Sequence, residues 1–211
     1  MISPDLPITK SSKDELNRGF FVKSLAHVLL QSSFPASFTV GLYGAWGSGK
    51  TSLLNMIIEN VEKANSEIVV LRFNPWLCSD SRQLIIQFFK QLSGAIKIKK
   101  PAANTMCELV DRHADIFDAA SLLPGVGTAI AAAGKAAAKG AQSNIENKAN
   151  DLQSQKNQII QKMTEKQLKI IVTIDDIDRL SKEKIIAISQ LVRALADFPN
   201  VVYFLRLTTM L

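Results

Sequence analysis

Hydrophobic residues along the chain follow two periods in turn. From Asp14 to Gln31 they recur at helical spacing (Phe21, Leu25, Val28, Leu29), and Ser12 with Glu15 is spaced as a capping box, which predicts a leading helix. Phe38, Val40 and Leu42 then alternate with Thr39, Gly41 and Tyr43 as a short strand. A glycine-rich turn leads from it into the stripe Leu53, Leu54, Ile57, Ile58 and Val61 of a second helix. The unit recurs: a β-rich run from Ile68 to Phe73, a turn at Asn74 and Pro75, capping residues Ser79 and Asp80, then the stripe Leu84, Ile85, Phe88, Phe89 and Leu92. Ile170 to Ile174 is continuous and β-branched, as in a parallel strand covered on both faces. Ser181 caps a helix carrying Ile185, Ile186, Ile188, Leu191, Val192 and Leu195, and Val201 to Leu207 supplies a fourth strand. Strands alternating with helices predict an α/β fold on a parallel sheet.

One stretch breaks the rhythm. Between about Gly94 and Lys169 the composition turns to Lys, Ala, Gly, Gln and Asn, far longer than an ordinary connection. The expected organisation is a core of residues 1–93 and 170–211 with a mainly helical insertion at 94–169. From Asn144 to Leu168 the insertion keeps only a thin apolar line (Ile145, Ala149, Leu152, Ile159, Met163), which predicts a helix exposed on most of its circumference. The uncharged stretch Ala119 to Gly134 contains Pro124 and is shorter than the ~20 apolar residues a spanning helix needs.

Composition excludes several classes. Two cysteines, Cys78 and Cys107, cannot form a disulfide framework, and the two histidines stand far from both, so no zinc spacing exists. Cys78 reads as a packing residue. The N-terminus lacks a secretory pattern, and a reducing cytoplasmic setting is expected. Net charge is +6, from 25 basic and 19 acidic residues, an excess that suits anionic ligands without implying nucleic acid.

The candidate chemistry starts at the first turn. Gly44, Ala45, Trp46, Gly47, Ser48, Gly49, Lys50 and Thr51, followed by Ser52, fit the phosphate-loop pattern, and they stand between a strand and a helix as its mechanism requires. Glycines allow the tight turn and bring backbone N–H groups to phosphate oxygens, while the helix N-terminus adds partial positive charge. Lys50 is placed to reach the β and γ phosphates, and the Thr51 hydroxyl to ligate magnesium. Trp46 is expected to wedge the loop against a neighbouring segment. The strand from Ile170 delivers Asp175 and Asp176 at its carboxyl end, where parallel sheets bind ligands. Asp175 reads as a direct or outer-shell magnesium partner and Asp176 as base toward an attacking water. Asp178 and Arg179 read either as catalytic or as a salt-bridged pair opening the next helix. Asn74 reads either as orienting the water or as making a turn with Pro75 over a packed Trp76.

Three motifs in this order, the loop Gly-Leu-Tyr-Gly-Ala-Trp-Gly-Ser-Gly-Lys-Thr, Phe73-Asn74-Pro75-Trp76 and Asp175-Asp176-Ile177-Asp178-Arg179, resemble the KAP family of P-loop NTPases. The segment Asp14 to Phe20 is similar to that family's start, and the insertion falls where the family carries one. The resemblance implies a three-layer parallel sheet of the P-loop NTPase type and binding and hydrolysis of Mg-ATP, with Lys50 and Asp176 catalytic, driving a conformational switch. It also implies a link to exclusion of phage. Many members place membrane spans in the insertion; here it holds 11 basic and 7 acidic residues and suits either an arm contacting a protein partner or a second copy of the chain, or a helix lying on the inner face of the membrane. GTP in place of ATP, a nucleotide-holding module with negligible turnover, and a scaffold acting through the insertion are the alternatives. The tail departs from the family. Where it carries a Leu-Ala-Phe-Asp-Arg-like segment, this chain reads Phe204, Leu205, Arg206, Leu207, Thr208, Thr209, Met210, Leu211. The expectation is a frameshifted product of a longer gene, its sheet incomplete on the C-terminal side and the edge of Phe38 to Tyr43 unpaired.

Overall fold

The computed structural model describes residues 6–116 and 138–208, with side chains except at 114–116, 138–150 and 152. Strands β1 (Phe38–Gly44), β2 (Val69–Phe73), β3 (Ile170–Ile174) and β4 (Val201–Thr208) pair in parallel in the order β1-β4-β3-β2. Every residue of β3 is buried, because helices cover both faces of the sheet. On one face α1 (Gly19–Gln31) and α2 (Lys50–Ala64) pack Val22, Leu29, Ile57, Ile58 and Val61 onto Ile171, Val202 and Phe204. On the other, α3 (Ser81–Lys99), α4 (Asn104–Ile116), α5 (Ala138–Glu165) and α6 (Lys182–Gln190) close over Leu71, Phe73, Val172, Ile174 and Tyr203. The expected three-layer α/β arrangement is therefore present.

The leading helix begins later than its pattern predicts. Asp14 does not enter it: its carboxylate accepts hydrogen bonds from Leu16 N at 3.3 Å and Arg18 N at 2.6 Å, which holds the chain in a turn until Gly19. Ser12 and Glu15 form no capping box; Ser12 lies in a single 3₁₀ turn, Ser11–Lys13, docked on α2 through Glu59, which accepts from Ser11 N. Asp80 does cap α3, accepting from Gln83 N at 2.9 Å, and Cys78 is buried as expected.

The insertion boundary at Gly94 falls inside α3, which runs on to Lys99. The insertion is no appended arm at either end. Met106, Leu109 and Val110 on α4, and Ile159 and Met163 on α5, belong to the same buried cluster as β2 and β3, because α4 packs against both α3 and α5. The stretch Ala119 to Gly134 and the residues Thr209, Met210 and Leu211 lie outside the described residues, as do the side chains of Ile145, Ala149 and Leu152. Among the described residues no helix is long and apolar enough to cross a membrane.

His113 marks where α4 seals the core. Its ring stands edge-on to Phe89, centroids 4.9 Å apart, and its Nε2–H donates to the Leu195 carbonyl at 3.3 Å. Burial pushes its pKa down from 6.5 to about 4; the Leu195 carbonyl opposes that shift and the charge of Lys156 adds to it. The native imidazole is thus neutral while the unfolded chain takes up a proton near the ordinary value. Stability should be full above about pH 7 and fall by up to about 3 kcal/mol as pH drops from 6.5 toward 4. Urea unfolding across that window is expected to show a flatter pH dependence for His113→Gln than for the parent; parallel slopes would contradict the assignment.

Candidate functional site

The carboxyl ends of β1, β4 and β3 meet at one edge of the molecule, and the connection from β1 to α2 is residues 45–49. Gly47 and Gly49 have φ of +79° and +81°, the left-handed region that side chains avoid, and a Cβ on Gly49 would stand 2.8 Å from Arg18 Nη1. Ser48 N donates to the Ala45 carbonyl at 3.2 Å and closes the turn. Lys50 folds back over the loop, its Nζ donating to the Gly44 and Ala45 carbonyls at 2.8 and 2.9 Å. The turn thus gathers the N-terminal N–H groups of α2 and an ammonium around one concavity, the arrangement that binds phosphate.

Two loop residues act otherwise than their positions suggest. Trp46 is 80 % exposed, so it does not wedge the loop; its indole instead lines the open cleft outside it. Ser52 Oγ accepts from Ile8 N at 3.2 Å and so anchors the segment preceding α1 to α2.

Beyond β3 the chain turns sharply at Asp176, whose φ of +49° is one that aspartate tolerates. Asp176 lines the cleft together with Lys50 and Thr51, while Asp175 Oδ1 is buried behind it. Burial pushes the Asp175 carboxyl above the usual range; Arg206 pulls it down and neighbouring Asp176 pushes it up again. Asp178 and Arg179 do not pair with each other. Asp178 accepts from Thr208 N at 3.2 Å, tying down the end of β4, and Arg179 Nη1 lies 3.8 Å from Asp176 Oδ2. Asn74 makes the turn: its Oδ1 accepts from Trp76 N at 3.0 Å, with Pro75 buried and Trp76 half exposed. It stands at the end of β2, separated from β1 by β3 and β4.

The structure adds two arginines that motif reading did not assign. Arg18 is held by Asp14, Nε to Oδ1 at 3.1 Å, and its Nη1 donates to the Gly49 carbonyl at 3.4 Å, bracing the loop from behind. The likeness of Asp14 to Phe20 to the family's start was the available signal. Arg206 projects from β4 into the centre of the site. Its Nη1 donates to Thr51 Oγ1 at 2.6 Å, and its Nη2 makes an ion pair with Asp175 Oδ1 and lies 3.4 Å from Asp176 Oδ1. Thr51 and Asp175 offer the hard oxygens magnesium takes. Both are already held by one guanidinium, however, so the residues as folded do not fit that ion beside Arg206. The whole cleft encloses about 1140 Å³, enough for a nucleotide.

A parallel sheet with a phosphate loop at one strand end, lysine and threonine opening the following helix, and an acid pair two strands away defines a P-loop NTPase domain. The chain belongs to the KAP family, whose P-loop domain its residues 18–207 match. It is also 26 % identical, over 227 aligned positions, to the phage T7 exclusion protein of Escherichia coli strain K12. That match takes in 95 % of this chain and 30 % of the length of the relative.

Proposed function

We propose that the domain binds ATP in the cleft between the phosphate loop and the acids that follow β3. The observation that carries this is the loop itself: two left-handed glycines, the N-terminus of α2 and the Lys50 ammonium converge on a single concavity. Loop N–H groups and Lys50 hold the phosphates, Lys50 exchanging the Gly44 and Ala45 carbonyls for β- and γ-phosphate oxygens. Asp176, the strand-end acid lining the cleft, receives the proton of an attacking water. Lys50 has protein partners to surrender, so arrival of the nucleotide loosens Gly44 and Ala45, a local switch joining β1 and α2. A fluorescent ATP analogue titrated into the chain should bind saturably and be displaced by ATP. Absence of displaceable binding would end this reading.

Asp176→Asn is expected to keep ATP affinity within about threefold while slowing phosphate release by ~10² or more, since a base acts only once water attacks. Equal turnover in variant and parent would remove Asp176 from that role. One observation favours a second reading, a nucleotide-holding module with little turnover: the same guanidinium engages both acids. Phosphate release measured beside affinity separates the two. The similarity to the phage T7 exclusion protein supports a part in restricting phage; expressing the chain in bacteria and counting T7 plaques tests it.

A further inference from the structure

Among the described strands, Arg206 stands on the one whose end is flanked by both halves of the site. β4 lies between β1 and β3, with Arg206 opposite Leu42 and the adjacent Leu205 opposite Ile174, so a side chain leaving here reaches the phosphate-loop helix on one side and the acids on the other. Its three partners, Thr51, Asp175 and Asp176, come from two distant parts of the chain, and the side chain is only 13 % exposed. Oδ1 of the Asp175 carboxylate is buried, and Arg206 supplies its ion pair.

A hydroxyl oxygen and a charge-paired carboxylate oxygen sharing one positive centre is the environment a hard divalent ion occupies. Here the centre is a guanidinium, fixed by the fold and permanently charged. A divalent ion at the same place would have to expel it from Thr51 and Asp175, leaving a largely buried cation with Asp176 alone of its three partners. The rest of the cleft agrees with this charge arrangement. Lys13, Arg18, Lys50, Arg179 and Arg206 line it against Asp14, Glu15 and Asp176, a surplus of positive charge suited to a triphosphate that carries all its own negative charge.

We infer, on the nucleotide-binding reading above, that Arg206 is the resident cation of this site and that the preferred ligand is the metal-free nucleoside triphosphate, divalent metal competing with Arg206 instead of assisting it. Arg206 here is a specificity-determining residue, choosing between free and metal-complexed nucleotide.

The test is a titration of fluorescent ATP analogue into the full chain, once in excess EDTA and once in excess magnesium. The parent should bind at least as tightly in EDTA as in magnesium. Arg206→Gln, which removes the charge, should invert the order and bind about tenfold or more tightly in magnesium than in EDTA. Arg206→Lys keeps a cation on a shorter, single-pronged head and should stay closer to the parent. Melting curves establish that each variant is folded; should Arg206→Gln fail to fold, the parent and Arg206→Lys still decide the matter. Parent binding about tenfold or more tighter in magnesium, or the same metal dependence in parent and a folded Arg206→Gln, overturns the inference while leaving nucleotide binding standing. Absence of binding in both buffers, for parent and variants alike, removes the nucleotide reading and this inference with it.

Discussion

Replacing Lys50 with alanine is expected to weaken ATP binding by an order of magnitude or more while leaving the domain folded. The ammonium is the one cation the loop itself supplies, and a charge-assisted bond to phosphate is about twice as strong as a neutral one. The Gly44 and Ala45 carbonyls that Lys50 now satisfies lie at the mouth of the loop, within reach of water, so the fold should lose little. Binding measured by fluorescence and a melting curve on the same sample check both halves. A Lys50→Ala protein that binds ATP as the parent does would show that the loop is a turn and not a ligand site.

The largest loss of stability is expected from Phe88→Ala. Phe88 is fully buried at the centre of the face covered by α3, edge-on to Phe73 and Phe89 at 5.4 and 5.3 Å and tilted against Tyr203 at 6.3 Å. Removing the ring leaves a cavity among rigid neighbours, costing about 3 to 5 kcal/mol and lowering the melting temperature by roughly 10 °C. Phe20→Ala, at a ring 86 % exposed, should shift stability by no more than about 0.5 kcal/mol. Similar melting curves for the two variants would mean that the core is not centred where the structure puts it.

Local patterns proved readable where local chemistry decides the outcome. The phosphate loop is legible because left-handed turns demand Gly47 and Gly49, and β3 because a strand covered on both faces must be apolar from Ile170 to Ile174. The limits of α1 and α3 were not. Hydrophobic spacing runs back to Asp14, yet its carboxylate prefers the N–H groups of Leu16 and Arg18, and one glycine at 94 is too small a penalty to end a helix held by Leu92 and Ile96. Family likeness brought the end of β4 near the phosphates but expected an acid there. What Arg206 does instead depends on Thr51, at the start of α2, and Asp175, just beyond β3, meeting it at the sheet's carboxyl edge, a relation no spacing along the chain encodes. Trp46 misled for the opposite reason: a large apolar ring suggests packing, but the outer side of the loop faces open space.

The position of β1 in the sheet also fixes when the site can come into being. Among the described residues β1 is hydrogen-bonded to β4 alone, and the approach to it is secured by Asn200, whose Oδ1 accepts from Phe34 N across 166 residues of chain. On a ribosome, the loop and α2 are made early but have no strand to lean on until β4 has emerged. The glycine turn is therefore expected to wait until β4 has been made, closure of that long loop being a slow step of high contact order. Acquisition of phosphate affinity should consequently lag behind helix formation during refolding, which makes the nucleotide a late reporter of completed folding rather than a template for it.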